Sequence, residues 1–243
     1  MEEAQNRLRL KRENVLAILG YLQRQKRVLC LTPGLYALWH PSERKWGIHP
    51  FPILDALMRF RQSPYYVGLL SAADHYGATH QKPQRLQVIL PKQLKFRKGE
   101  RLGLDFHVRK EFPTGGIVDV HSSSGKVAFS SPEWTALDLL YFQSASAGFD
   151  NVCLVIRDLI PCLTVPNLKQ MVRIYPNPSS IQRLGYLLKA LKADSKLVQP
   201  LKKWVEKNRP IAVALTPTYP KKGRVDSFWR VLLNRKVNLR YDR

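Results

Sequence analysis

What this sequence lacks narrows it first. Its three cysteines, Cys30, Cys153 and Cys162, form no CxxC pair and are too few and too scattered for a disulfide framework. Reduced thiols, mostly simple core residues, in a cytoplasmic protein are the expectation. Long apolar runs are missing as well. Val152 to Val165 is broken by Arg157, Asp158 and Pro161 and falls short of the ~20 apolar residues of a membrane helix. Met1 to Arg12 alternates charge with isolated leucines and carries no apolar segment of the signal-peptide type. The phosphate-loop, dinucleotide, HExxH and GxSxG signatures are all absent. Asp74-His75-Tyr76 is the one place where a base can be imagined, and neither a nucleophile nor a paired carboxylate stands near it in sequence. His75 and His80 are five apart, which puts them on different faces of a helix, whereas a spacing of three or four suits one metal ion. The expectation is no enzyme, no metal, no cofactor and no membrane partner.

Acidic residues are also scarce: eighteen face forty Lys and Arg, a formal net charge of +22. The surplus is uneven. Residues 1–50 hold nine basic and four acidic groups and residues 51–120 eleven and six. Residues 121–180 balance at four and four, and residues 181–243 carry sixteen against four. Solubility asks for a net charge of only about 2–8 in a small domain, so this excess implies a polyanionic partner, nucleic acid or a strongly acidic protein.

The 44% apolar fraction supports a real core, and no internal repeat or low-complexity tract occurs. Val15, Leu16, Ile18, Leu19 and Leu22 predict an amphipathic helix over 13–26 with a cationic last turn. Val28 to Leu31, a Pro33-Gly34 turn and Leu35 to Trp39 predict a hairpin, because Pro presets the first turn angle and Gly accepts the positive φ that follows. Helix followed by hairpin is the second half of a winged helix-turn-helix. His40 to Pro52, rich in proline and charge, reads as a linker.

A second unit starts near Ile53. Helices are expected over 53–60 and 68–76, and strands over 85–90 and 104–109. A hairpin should join 117–120 to 127–129. Ser131-Pro132-Glu133 is a helix start, with Ser in the capping position and Pro at the first helical site. Shorter helices follow over 149–160 and 166–175. Ser179-Ser180 should cap a helix striped by Ile181, Leu184, Leu187, Leu188 and Leu191, with Arg183, Lys189, Lys192 and Lys196 mostly off the stripe. Helix 197–207 is pinched by Pro200, and strands are expected over 211–215 and 225–234.

Two groups of residues carry candidate function. Arg24, Gln25, Lys26 and Arg27 close the first helix, the place of a recognition helix in the major groove, and Arg7, Arg9, Lys11 and Arg12 form an arm toward adjacent phosphates. The alternative is a solvated cationic helix end. The second group is Lys189, Lys192, Lys196, Lys202, Lys203, Lys207 and Arg209, then Lys221, Lys222 and Arg224. Among its neighbours Trp204 has a spacing that suits burial, so charge contact with a phosphate-rich or acidic partner is favoured over base stacking.

Pro33 to Leu38, Tyr65 to Gly77, Pro83 to Ile89, Ser131 to Leu140, Gln182 to Leu188 and Val225 to Asn234 together resemble, in order, the AbiEi family of bacterial type IV antitoxins. The resemblance implies an α+β chain with an N-terminal winged helix-turn-helix over 1–49, followed by a larger mixed α/β antitoxin domain over 50–243 with a helical C-terminal part. It also implies repression through inverted repeats in the chain's own promoter DNA, bound as a dimer. The partner it implies is a cognate nucleotidyltransferase-like toxin, opposed directly or through a shared target. Only residues 1–13 precede the first amphipathic helix, so the winged helix is expected in abbreviated form. A stand-alone nucleic-acid-binding accessory protein, acting through the lysine-rich C-terminal region, is the alternative.

Overall fold

The computed structural model describes residues 2–39, 50–80, 82–94, 102–122 and 125–237. A short helix, α1 (Glu2–Leu8), precedes α2 (Arg12–Arg24). Helix α2 stops earlier than its apolar spacing suggests. Lys26 adopts a left-handed φ of 53° and the Arg27 amide donates back to the Leu22 carbonyl at 2.9 Å. Lys26 and Arg27 therefore sit in the turn beyond the helix. Strands β1 (Val28–Thr32) and β2 (Leu35–Leu38) pair antiparallel, with a register shift between Cys30 and Thr32. Gly34 supplies the φ of 90° that the turn needs.

Most of the expected linker, residues 40–49, lies outside the described residues. Its last prolines do not belong to a linker: Pro50 opens helix α3 (Pro50–Arg61), and Pro52 sits in the same first turn, where a missing amide hydrogen costs nothing. A two-residue strand, β3 (Tyr66–Val67), is too short to show a period in the sequence. It leads through Gly68 into α4 (Leu69–His75). With α4 ending at His75, His80 is not on that helix.

β3 is the centre of a five-stranded mixed sheet in the order β5 (Leu104–Val108), β4 (Leu86–Leu90), β3, β7 (Gly125–Ser130), β6 (Ile117–Ser122). The β3–β7 and β4–β5 pairs are parallel, and the β3–β4 and β6–β7 pairs antiparallel. Alternation along the strands divides the core. Tyr66 and Ile89 join one apolar cluster, with Trp134, Leu137, Val152, Ile156 and Leu184. Val67, Val88, Leu90 and Phe129 join the other, with Leu31 of the hairpin and Ile53, Leu54, Leu57 and Met58 of α3. Strand 85–90 thus has both faces covered, as its composition implies.

The helical layer comprises α5 (Pro132–Tyr141), α6 (Gly148–Leu159), α7 (Val165–Ile174), α8 (Pro178–Ala190) and α9 (Ser195–Asn208). Ser131 caps α5 by accepting from the Trp134 amide. Asn177, not Ser179 or Ser180, caps α8: its side-chain oxygen accepts from the Ser180 amide, and Pro178 takes the first helical position. Arg183 is buried rather than off the apolar stripe, donating from Nε to the Ala214 carbonyl at 2.9 Å. The stretch 225–234 is two strands, β9 (Arg224–Asp226) and β10 (Val231–Leu233), which pair antiparallel. Asp226 accepts from the Phe228 and Trp229 amides and turns the chain between them. β10 also pairs parallel with β8 (Val213–Ala214), all that forms of the strand expected over 211–215.

Candidate functional site

Every expected DNA-contacting side chain is exposed: Arg9, Lys11, Arg12, Arg24, Gln25, Lys26 and Arg27. Arg24 belongs to the last turn of α2, Lys26 and Arg27 to the turn into β1, and Arg9 and Lys11 to the break between α1 and α2. Helix α2 buries Val15 and leaves Leu16, Ile18 and Tyr21 exposed. The apolar stripe read from the sequence is therefore only partly consumed by the fold.

The C-terminal cations are exposed as well: Lys189, Lys192, Lys196, Lys202, Lys203, Lys207, Arg209, Lys221, Lys222 and Arg224. They divide by element. Lys189 ends α8, Lys192 lies in the α8–α9 connection, and Lys196, Lys202, Lys203 and Lys207 belong to α9, with Arg209 as its left-handed cap. Lys221, Lys222 and Arg224 precede or open β9. Lys202 sits over the Phe228 ring at 5.3 Å, a cation–π contact that turns it toward the third sheet.

Helices α7 and α9 enclose a groove of about 760 Å³. From α7 it takes Val165, Lys169, Val172 and Arg173, and from α9 Lys196, Gln199, Pro200, Lys203, Trp204 and Lys207. Among the described residues five cations line it and no acidic residue does. Trp204 is half-buried at its wall and packs against the larger apolar cluster, so the burial its spacing suggested is partial. Lys169 and Arg173 were missed in sequence because α7 is short and its charge modest. The signal is their spacing of four on a helix that buries Leu168, Met171 and Val172.

Beneath the central sheet lies a polar network that the sequence did not announce. Asp138 of α5 is fully buried and accepts from Tyr66 Oη at 2.7 Å, from Tyr175 Oη at 2.8 Å and from Arg109 Nη1. Trp134 Nε1 donates to Tyr66 Oη at 3.3 Å. The Arg109 guanidinium, 3% exposed, stacks among Trp134, Tyr141 and Tyr175. Burial pushes the Asp138 carboxyl up from its ordinary value, opposed by Arg109 and then by the two tyrosine donors. Three converging donors match an ionised carboxylate, so the pair is an internal strut closed to solvent.

The other expectations resolve locally. Asp74 accepts from the Thr79 hydroxyl at 3.1 Å, and His80 Nε2 lies 2.8 Å from Asp158 Oδ2. Burial first, and Asp150 second, push the Cys153 thiol up to about 12, as expected of an inert core cysteine. Among the described residues no cluster of three or more His, Cys, Asp or Glu could hold a metal ion, and no helix is long and apolar enough to cross a membrane.

The fold and the residues that build its core define a protein of the antitoxin class: the family model for the AbiEi antitoxin C-terminal domain matches residues 66–190. That span runs from β3 through α8 and contains all five members of the Arg109–Asp138 network. The chain belongs to the AbiEi antitoxin family. The crystal structure of the RV2827C protein from Mycobacterium tuberculosis has a similar fold, with a TM-score of 0.64 at 16% identity over 89% of this chain and 78% of that one. A comparison with curated proteins found no significant match.

Proposed function

We propose that this chain is the antitoxin of a bacterial type IV toxin–antitoxin pair. It opposes a nucleotidyltransferase-like toxin and represses its own operon by binding inverted repeats in promoter DNA as a dimer. Such a protein works in the cytoplasm by binding rather than catalysis. The observation that carries the reading is the antitoxin domain over residues 66–190. The repressor half is supported by the cations at the two ends of α2, Arg24, Lys26 and Arg27 at one and Arg9, Lys11 and Arg12 at the other, which are exposed and have no ion pair with a described residue. Exposed Leu16, Ile18 and Tyr21 on α2 give a second copy something apolar to meet.

In this reading residues 1–49 serve DNA and residues 50–243 serve the toxin. The test keeps the chain whole. Arg24→Ala combined with Arg27→Ala should weaken binding to the chain's own promoter at least tenfold while still rescuing cells that express the adjacent toxin gene. A dimer neutralising about six phosphates should also lose roughly 10³-fold in affinity between about 50 and 200 mM salt. Undiminished promoter binding by the double variant overturns the recognition assignment, and growth arrest despite the parent chain overturns the antitoxin reading. Co-purification of the toxin separates direct opposition from a shared target. The second reading, a nucleic-acid-binding accessory protein, is favoured by one observation, the cation-lined groove between α7 and α9.

A further inference from the structure

The α7–α9 groove is a built surface with an unusual balance. Lys169 and Arg173 stand one turn apart on α7. Lys203 and Lys207 stand one turn apart on α9, with Lys196 two turns earlier. At a rise of about 1.5 Å per residue, the α9 cations extend over about 16 Å. None of the five is ion-paired with a described residue, and no carboxylate of a described residue lines the groove. Five ammonium and guanidinium groups held around one concavity repel one another, and the family domain match does not extend to α9. An anion relieves that repulsion.

The shape of the anion follows from the remaining wall. Trp204 sits within the row of cations, between Lys203 and Lys207 in sequence, and Pro200 and Val172 give the groove an apolar floor. The open part of the Trp204 indole offers a face on which a base can stack while its phosphates meet the lysines. Lysines outnumber arginine four to one here, a set that holds phosphates as point charges and reads no base edges. Exposed Arg209, the cap of α9, follows Lys207 at the end of that row of cations. The bound chain is therefore longer than a mononucleotide.

We infer that the α7–α9 groove binds single-stranded nucleic acid, with phosphates on Lys169, Arg173, Lys196, Lys203 and Lys207 and a base stacked on Trp204. This goes beyond promoter recognition, which belongs to α2 and the hairpin, and it stands or falls independently of it.

The test titrates the full chain with fluorescein-labelled oligouridylate and oligothymidylate, read by anisotropy. Five neutralised phosphates give a log–log salt slope of about −3.5, at roughly −0.7 for each phosphate on a single strand. The Lys169→Ala, Arg173→Ala, Lys203→Ala, Lys207→Ala quadruple variant should bind at least tenfold more weakly with a shallower slope. Trp204→Leu should lose about 5- to 150-fold, the range of one stacked base. Arg24→Ala with Arg27→Ala should bind as the parent does, which separates this groove from the promoter site. Preference for uridylate or for thymidylate then names RNA or DNA as the strand. Parent-like binding by the quadruple variant or by Trp204→Leu, while their far-ultraviolet circular dichroism matches the parent, overturns the inference. So does equal competition by poly-glutamate, which would make the groove a seat for an acidic protein, or by free uridine triphosphate.

Discussion

Gly185 shows how one residue can couple two distant parts of a sequence. It lies inside α8, where glycine costs helix stability relative to alanine. The reason for it is Trp229, 1% exposed, whose ring covers the helix so closely that a Cβ on Gly185 would stand 2.0 Å from Cζ3. Gln182, one turn earlier, donates to the Trp229 and Arg230 carbonyls and fixes that ring's backbone. Gly185→Ala should therefore destabilise by about 1–3 kcal/mol, the usual cost of overpacking, read as a lower urea midpoint at unchanged slope. An unchanged midpoint would mean the ring moves freely.

Asp158 carries a pH signature. Burial alone would raise its carboxyl, but hydrogen bonds from Arg157 and His80 outweigh that and hold it below the usual range. A carboxylate with a depressed folded pKa contributes stability fully above its unfolded value of about 3.9 and loses it as pH falls through the folded value. The parent should thus lose more stability than Asp158→Asn between about pH 5 and pH 3. Thermal melts that fall in parallel for the two proteins would dismiss the pair as inconsequential.

At the scale of elements, the Arg109–Asp138 strut ties the end of β5 to α5, and Tyr175 extends it to the end of α7. Removing one partner leaves a buried charge uncompensated, so Asp138→Ala should cost about 3–5 kcal/mol. Arg109→Met combined with Asp138→Leu should cost less than the two single changes together, because the desolvated charges leave as a pair. Additive losses in a double-mutant cycle by chemical denaturation would show that the two groups do not communicate.

Elements of this kind also mark what a sequence discloses. The helix start at Ser131-Pro132-Glu133 was legible because capping is local. The hairpin around Gly34 was legible because one turn demands one φ. Strand β3, two residues long, has no period to read, and the partners of Asp138 lie 29, 37 and 72 positions away. Asn177 took the capping role from Ser179 because Pro178 can occupy only the first turn. The exposed cations of both ends were visible as charge. Lys169 and Arg173 became members of a groove only once α9 was laid against α7.

For the whole molecule, the proposed division of labour between residues 1–49 and 50–243 runs across a shared core. Leu31 of β1 is 2% exposed within the cluster formed by Ile53, Leu54, Leu57 and Met58 of α3 and Val67 and Val88 of the central sheet. Arg61 Nη2 also donates to the Thr32 hydroxyl at 2.8 Å, and Phe60 packs on the Gly34 turn. A wing that were an independent module would unfold without disturbing the sheet. With Leu31 seated as it is, Leu31→Ala should cost about 2–5 kcal/mol and should shift the main unfolding transition itself. Hydrogen exchange gives the sharper readout, because amides of β1 and β4 should lose protection by the same amount in the variant. If β1 alone loses protection while the main transition stays put, the hairpin is only tethered to the body, and DNA binding could not be sensed by the antitoxin domain through this contact.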